Sequence, residues 1–123
     1  MSWHRGIMFN LNYSAMKLQV HSIRFDADRK LVNYIQKKVN KLETFYDRLI
    51  DGEVFLRINN EGTDNKTVDI KLNVPGGQLF VTEKGRTFEA ATDIATDALS
   101  IQLKRFKEKL RNRKVDKASL VSA

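Results

Sequence analysis

Residues 68–74 read VDIKLNV, with Val68, Ile70, Leu72 and Val74 alternating against Asp69, Lys71 and Asn73. A period of two puts the apolar side chains on one face of a strand and the polar ones on the other. A strand with one apolar face needs a second layer to cover it, so the rest of the chain must provide that layer. The same alternation holds nearby, where Val54, Leu56 and Ile58 interleave with Phe55 and Arg57. The polar stretch NNEGTDNK joins these two strands, and Pro75, Gly76 and Gly77 force the next turn. Leu79 and Val81 continue beyond it as a further strand, and residues 17–25 make a first one with Leu18 and Val20 on one face.

Two segments change period. From Leu31 through Ile35, Val39, Leu42, Tyr46 and Leu49, apolar residues recur at steps of three and four. That spacing makes one stripe on a helix, predicted to run to about residue 48 with Asp26 as its cap. Asp51 and Gly52 end it. Phe88, Ala91, Ala95, Ala98, Leu99, Phe106 and Leu110 repeat the helical spacing, which predicts a long second helix from a Thr87 cap to about residue 113. The fold class is therefore α+β, in the order β-α-β-β-β-α. Each strand has one apolar face, so both helices belong on the same side of one four-stranded sheet. Counting reversals along the chain makes the two helices roughly parallel. Residues 1–15 read as an irregular arm, 16–113 as the folded domain and 114–123 as a flexible tail. Asn10 and Asn12 interrupt the only candidate for a signal peptide. Without export, the glycosylation sequons at Asn12 and Asn65 carry no meaning. Met16, where the regular pattern begins, is expected either to be the true start or to follow a mobile arm.

Composition excludes several chemistries. The 123 residues contain no Cys and only two His, so a disulfide framework, a thiol nucleophile and a His-rich metal centre are ruled out. No apolar run reaches the ~18 residues of a membrane span. Lys and Arg number 22 against 15 Asp and Glu, a net charge of +7. Such an excess points to an anionic partner, nucleic acid before a membrane surface.

The placement of this charge says more than its total. Residues 51–100 hold five basic and nine acidic side chains, whereas residues 101–117 hold eight basic and two acidic ones. At roughly 100° per residue, Glu89, Asp93 and Asp97 share a helical flank with Lys104, Lys107, Arg111 and Lys114. One flank of the second helix thus changes sign halfway along. The macrodipole favours this polarity, but eight cations in seventeen residues exceed what it explains. In the first helix Lys30, Lys37, Lys41 and Arg48 form a basic stripe flanked by Lys38, with Glu43 and Asp47 on the other side. The two basic stripes are offset from their apolar stripes in opposite senses. On parallel helices they face either a shared groove or opposite margins, and the pattern does not choose between these.

No catalytic constellation appears. GTDNKT at residues 62–67 lacks the glycine before Lys66 that a phosphate loop needs, and it joins two strands. His21 has no carboxylate placed beside it by spacing and reads as structural or RNA-facing. Asp93 and Asp97 share a helical face but lack a third ligand, so they read as a solvated acidic flank. Trp3 could stack on a base, though an irregular arm is the simpler reading. The chain is expected to be a non-enzyme without cofactor, metal or small-molecule substrate.

The run KLETFYDR at 41–48, the PGG turn, and FEAATDIATDALSIQLKRFKEKLRNR at 88–113 together resemble the ribosome hibernation-promoting factor family. That family includes the ribosome-associated inhibitor and the sigma modulation proteins, and the resemblance covers about residues 17–113. It implies the same β-α-β-β-β-α order, similar to a double-stranded-RNA-binding domain. It also implies a cytoplasmic, monomeric protein that binds ribosomal RNA between the head and body of the small ribosomal subunit. There it would overlap the messenger and transfer RNA sites, block initiation and keep idle ribosomes intact during stress. By position, the implied contacts are Lys38 and Lys41 in the first helix, and Lys104, Arg105, Lys107, Lys109, Arg111 and Arg113 in the second. Such contacts favour basic stripes that face one another. Few residues follow Arg113, which resembles the short form lacking the domain that pairs ribosomes. A general structured-RNA binder or RNA chaperone is the alternative.

Overall fold

The computed structural model describes residues 16–59 and 62–122, with backbone only from 114 onward. Strand β1 spans Lys17–Ser22 and helix α1 spans Arg29–Asn40. Strands β2 (Asp51–Ile58), β3 (Lys66–Val74) and β4 (Gly77–Gly85) follow, and helix α2 occupies Phe88–Ser122. The strands lie in the order β1-β2-β3-β4, with β1 parallel to β2 and the other pairs antiparallel. Parallel neighbours require a crossover, and α1 supplies it. The expected α+β architecture is therefore the observed one.

Alternation sets the register. Val20 faces Val54, Val54 faces Ile70 and Ile70 faces Val81, so one apolar row crosses all four strands on the helix side. Leu31, Ile35, Val39 and Leu42 close over it from the first helical segment, and Ala91, Ala95, Leu99 and Leu103 from α2, all buried. Phe25 and Phe88 stack at 5.2 Å where the loop before α1 meets the start of α2. The other face of the sheet is polar and mixed in sign, with Arg57 paired to Asp69 at 2.7 Å and Lys71 to Glu53 at 3.6 Å.

Gly85 permits the tight passage from β4 into α2. A Cβ there would lie 2.9 Å from the Ala91 backbone nitrogen and 3.2 Å from the Thr87 carbonyl oxygen. Gly76 takes φ +80°, which the turn between β3 and β4 requires and an L side chain resists. Thr87 caps α2 as expected, its hydroxyl accepting from Ala90 N at 3.0 Å. The helix then runs back along β4, since Gly85 adjoins Ala91 and Gly77 adjoins Phe106 at the other end.

Several boundaries differ from the sequence reading. The cap of α1 is Asp28, not Asp26; Asp28 Oδ1 accepts from Leu31 N at 2.7 Å. The helix does not reach residue 48. It tightens into a 3-10 turn over Lys41–Thr44, where the Thr44 hydroxyl bonds the Lys41 carbonyl at 2.7 Å. Side-chain bonding of this kind competes with the helical ladder. Tyr46 and Leu49 are nevertheless buried, because the loop lays them on the same core. Strand β2 starts at Asp51 rather than Val54, and β1 stops at Ser22 rather than Phe25. Helix α2 continues to Ser122, past the end expected near residue 113. No Gly or Pro lies in 114–122 to stop it. The expected arm at residues 1–15, including Trp3, lies outside the described residues, and so does any test of Met16 as the start.

Candidate nucleic-acid interface

Contacts between the helices settle which way their flanks face. The Tyr34 hydroxyl on α1 donates to Asp93 Oδ1 on α2 at 2.5 Å, and Lys38 Nζ lies 3.2 Å from the same oxygen. On a helical wheel Lys30, Lys37, Lys38 and Lys41 all fall within about 60° of Tyr34. The basic flank of α1 therefore faces α2. Asp93 in turn belongs to the α2 flank that carries Glu89, Asp97, Lys104, Lys107 and Arg111, so that flank faces α1. The helices also run in the same direction, because Tyr34 meets Asp93 while Tyr46 meets Phe106 edge-on at 5.7 Å.

The result is one groove with two unlike halves. At its acidic end, Asp93 joins the helices through Tyr34 and Lys38. The Tyr34 hydrogen bond and the Lys38 ammonium hold the Asp93 carboxyl below its usual range against the opposing effect of burial. The same hydrogen bond, with burial and the Asp93 and Glu89 charges, raises the Tyr34 phenol. At the basic end, Lys104 Nζ sits 4.9 Å above the Phe45 ring, an arrangement that favours a cation. Beyond it lies a hollow of about 300 Å³ lined by Tyr46, Asp47, Arg48, Lys107, Leu110 and Arg111. Three cations and one carboxylate surround an apolar floor made by Tyr46 and Leu110.

The expected contact residues divide by flank. Lys104, Lys107 and Arg111 line the groove. Lys41, at the start of the 3-10 turn, is exposed on the α1 side, and Lys38 is engaged by Asp93. Arg105, Lys109 and Arg113 are exposed but lie roughly 120–170° around α2, on its outer side. The sequence reading left Arg48 out of its contact set, yet it lines the hollow with Lys107 and Arg111. Its place in the α1 basic stripe was the available signal. The helix that gave the stripe meaning ends at Asn40, so the loop delivers Arg48 instead.

Other candidates resolve differently. His21 Nε2 lies 3.2 Å from Glu53 Oε2, and its ring stacks on Phe55 at 4.8 Å. Spacing gave no hint of Glu53, because sheet register brings it there from a neighbouring strand. The pair sits on the sheet face opposite the groove. Among the described residues no group of three His, Asp or Glu side chains could hold a metal ion. No helix among them is long and apolar enough to cross a membrane.

Residues 18–111 match the family model described as sigma 54 modulation protein / S30EA ribosomal protein. The chain belongs to this family. The match takes in both flanks of the groove and ends at Arg111, leaving Arg113 outside. A ribosome hibernation promotion factor of Deinococcus radiodurans is 33% identical over 93 residues, which cover 72% of this chain and 48% of the relative. The chain thus spans about half the length of that relative. A ribosome hibernation promoting factor of Escherichia coli K12 is 29% identical over 96 residues, 78% of this chain and 98% of the relative. Among solved structures, the Thermus thermophilus Protein Y N-terminal domain aligns with a TM-score of 0.61 and 28% identity, covering 69% of this chain and 91% of that one. A ribosomal subunit interface protein from Coxiella burnetii aligns with a TM-score of 0.66 over 76% of this chain and 97% of that one. At 18% identity it supports the fold alone.

Proposed function

We propose that this family member is a ribosome hibernation factor that acts by occupancy. It binds ribosomal RNA of the small subunit in the decoding cleft, overlaps the messenger and transfer RNA sites, and silences translation under stress. The observation that carries this reading is the basic half of the groove, where Arg48, Lys107 and Arg111 line one hollow and Lys104 sits over the Phe45 ring. Relatives named as hibernation factors supply the biological setting. Phosphates of a folded RNA lie along the cationic walls, while the apolar floor of Tyr46 and Leu110 accepts a sugar or base face. Lys38 stands where the basic half begins. Arg105, Lys109 and Arg113, on the outer side of α2, contribute less, by longer-range attraction to a second RNA segment rather than by direct phosphate contacts. The protein works in the cytoplasm as a monomer, without catalysis or cofactor.

Recognition of this kind rests on phosphate contacts and RNA shape. With about six phosphates engaged, affinity falls with salt at a log–log slope on the order of −4 to −5. The test is competition on purified small subunits. Transfer RNA displaces the bound protein if the decoding cleft is its site. Binding to naked duplex RNA as tight as to subunits, with no displacement, would favour a general RNA chaperone instead.

A further inference from the structure

The acidic half of the groove takes no part in the phosphate track described above, yet it is bonded across the two helices. Tyr34 OH fixes one oxygen of Asp93, and Lys38 Nζ rests 3.2 Å from that same oxygen. Glu89 and Asp97 lie one turn to either side on the same flank of α2. Among the described residues, Lys41, Lys104, Lys107 and Arg111 have no carboxylate at ion-pair distance, so Lys38 differs from them in being held. The Asp93 side chain is 46% exposed, which leaves its charge in reach of anything entering the groove.

We propose that Asp93 is a selectivity residue: it holds Lys38 away from stray polyanions and, with Glu89 and Asp97, ends the phosphate track at mid-groove. The inference rests on the RNA-binding reading. An unstructured RNA gains affinity from every accessible cation through counterion release, whatever its shape. Withholding one cation lowers such binding about fourfold at roughly 0.15 M salt. A folded target that presents phosphates only to the basic half loses little by the same arrangement. The groove thereby discriminates by length and polarity of the track as well as by charge.

The test is Asp93→Asn, titrated with a poly(U) oligonucleotide across a salt series and, separately, with small ribosomal subunits. The variant is expected to bind poly(U) about fourfold tighter at roughly 0.15 M salt, with a log–log slope steeper by about 0.7. Its affinity for subunits changes less, so discrimination falls. Tyr34→Phe removes the hydrogen bond but keeps both charges. A merely structural role for Asp93 makes the two variants behave alike, whereas selectivity makes only Asp93→Asn change the slope. If Asp93→Asn does not fold, Glu89→Gln/Asp97→Asn at exposed positions tests the repulsion, with poly(U) binding only about twofold tighter expected because salt screens surface charges. Wild-type poly(U) affinity and slope in a folded Asp93→Asn protein, or in the double variant when Asp93→Asn fails to fold, overturns the proposal. Failure of the wild type to bind subunits overturns the ribosomal reading instead, and the poly(U) arm still decides the role of Asp93.

Discussion

The two halves of the groove share α2 as one wall and differ in almost everything else, because α1 forms the other wall of the acidic half and the segment after Asn40 that of the basic half. At the N-terminal half of α2, Asp93 bridges the helices through Tyr34 and Lys38, and the charge is acidic. At the C-terminal half a hollow lies between α2 and the loop that follows the 3-10 turn, and there Arg48, Lys107 and Arg111 converge with Asp47 as the one carboxylate in the lining. The difference follows from what lies beneath. The acidic half rests on fully buried Ala91, Ala95 and Leu99, small or compact side chains that let the helix sit close. Past Leu103 the core is only partly closed, by Phe106 and Leu110, and cations gather where no packing opposes them. Stability is concentrated in one half and unbalanced charge in the other.

The strongest way to break this comparison is to reverse the charge of one half. Lys104→Glu/Lys107→Glu/Arg111→Glu is expected to lower ribosome affinity by about a hundredfold or more at physiological salt, by counterion release alone. Co-sedimentation reads the loss, and circular dichroism should show the fold intact, because all three side chains are exposed. Leu103→Ala comes next. Leu103 is fully buried where the flank changes sign, so a cavity there costs about 2–4 kcal/mol in denaturant titration. Gly85→Ala is expected to cost about 1–3 kcal/mol, because its Cβ would meet the Ala91 backbone rather than a movable side chain.

Smaller effects belong to the bridge. Tyr34→Phe removes one part-buried inter-helix hydrogen bond and should cost about 0.5–1 kcal/mol, read by thermal melting. The pH dependence has a definite sign. Asp93 is held below its ordinary 3.8, so its contribution is complete above that value and is lost as pH falls through the lowered one. Tyr34 is raised above its ordinary 10.0, so its contribution is present below that value and is lost as pH rises through the raised one. The stability difference between wild type and Asp93→Asn should therefore be flat across neutral pH and shrink in acid.

Much of the fold could be read from residues. The alternation of Val68, Ile70, Leu72 and Val74 fixed which face of the sheet is buried, and Thr87 marked the start of α2. The end of α1 was less legible, because Leu42, Tyr46 and Leu49 keep a helical spacing that loop burial satisfies equally well. Asp26 and Asp28 are both plausible caps, and only the position of Leu31 N decides between them. Within the interface, local spacing showed two basic stripes. It could not show the Tyr34–Asp93 bond, which joins residues 59 apart and decides that the stripes converge. Spacing did divide the cations of α2, with Lys104, Lys107 and Arg111 on one flank and Arg105 off it, but it could not say which flank faces α1.

That division gives the most direct test. Lys104→Glu/Lys107→Glu and Arg105→Glu/Lys109→Glu change the same net charge on the same stretch of helix and differ only in direction. Binding of both to small ribosomal subunits should be measured at roughly 0.15 M salt. The groove-facing pair is expected to lose about thirtyfold, as two phosphate contacts require, and the outward pair distinctly less. Equal losses would contradict the claim that the groove between the helices is where this protein holds its RNA.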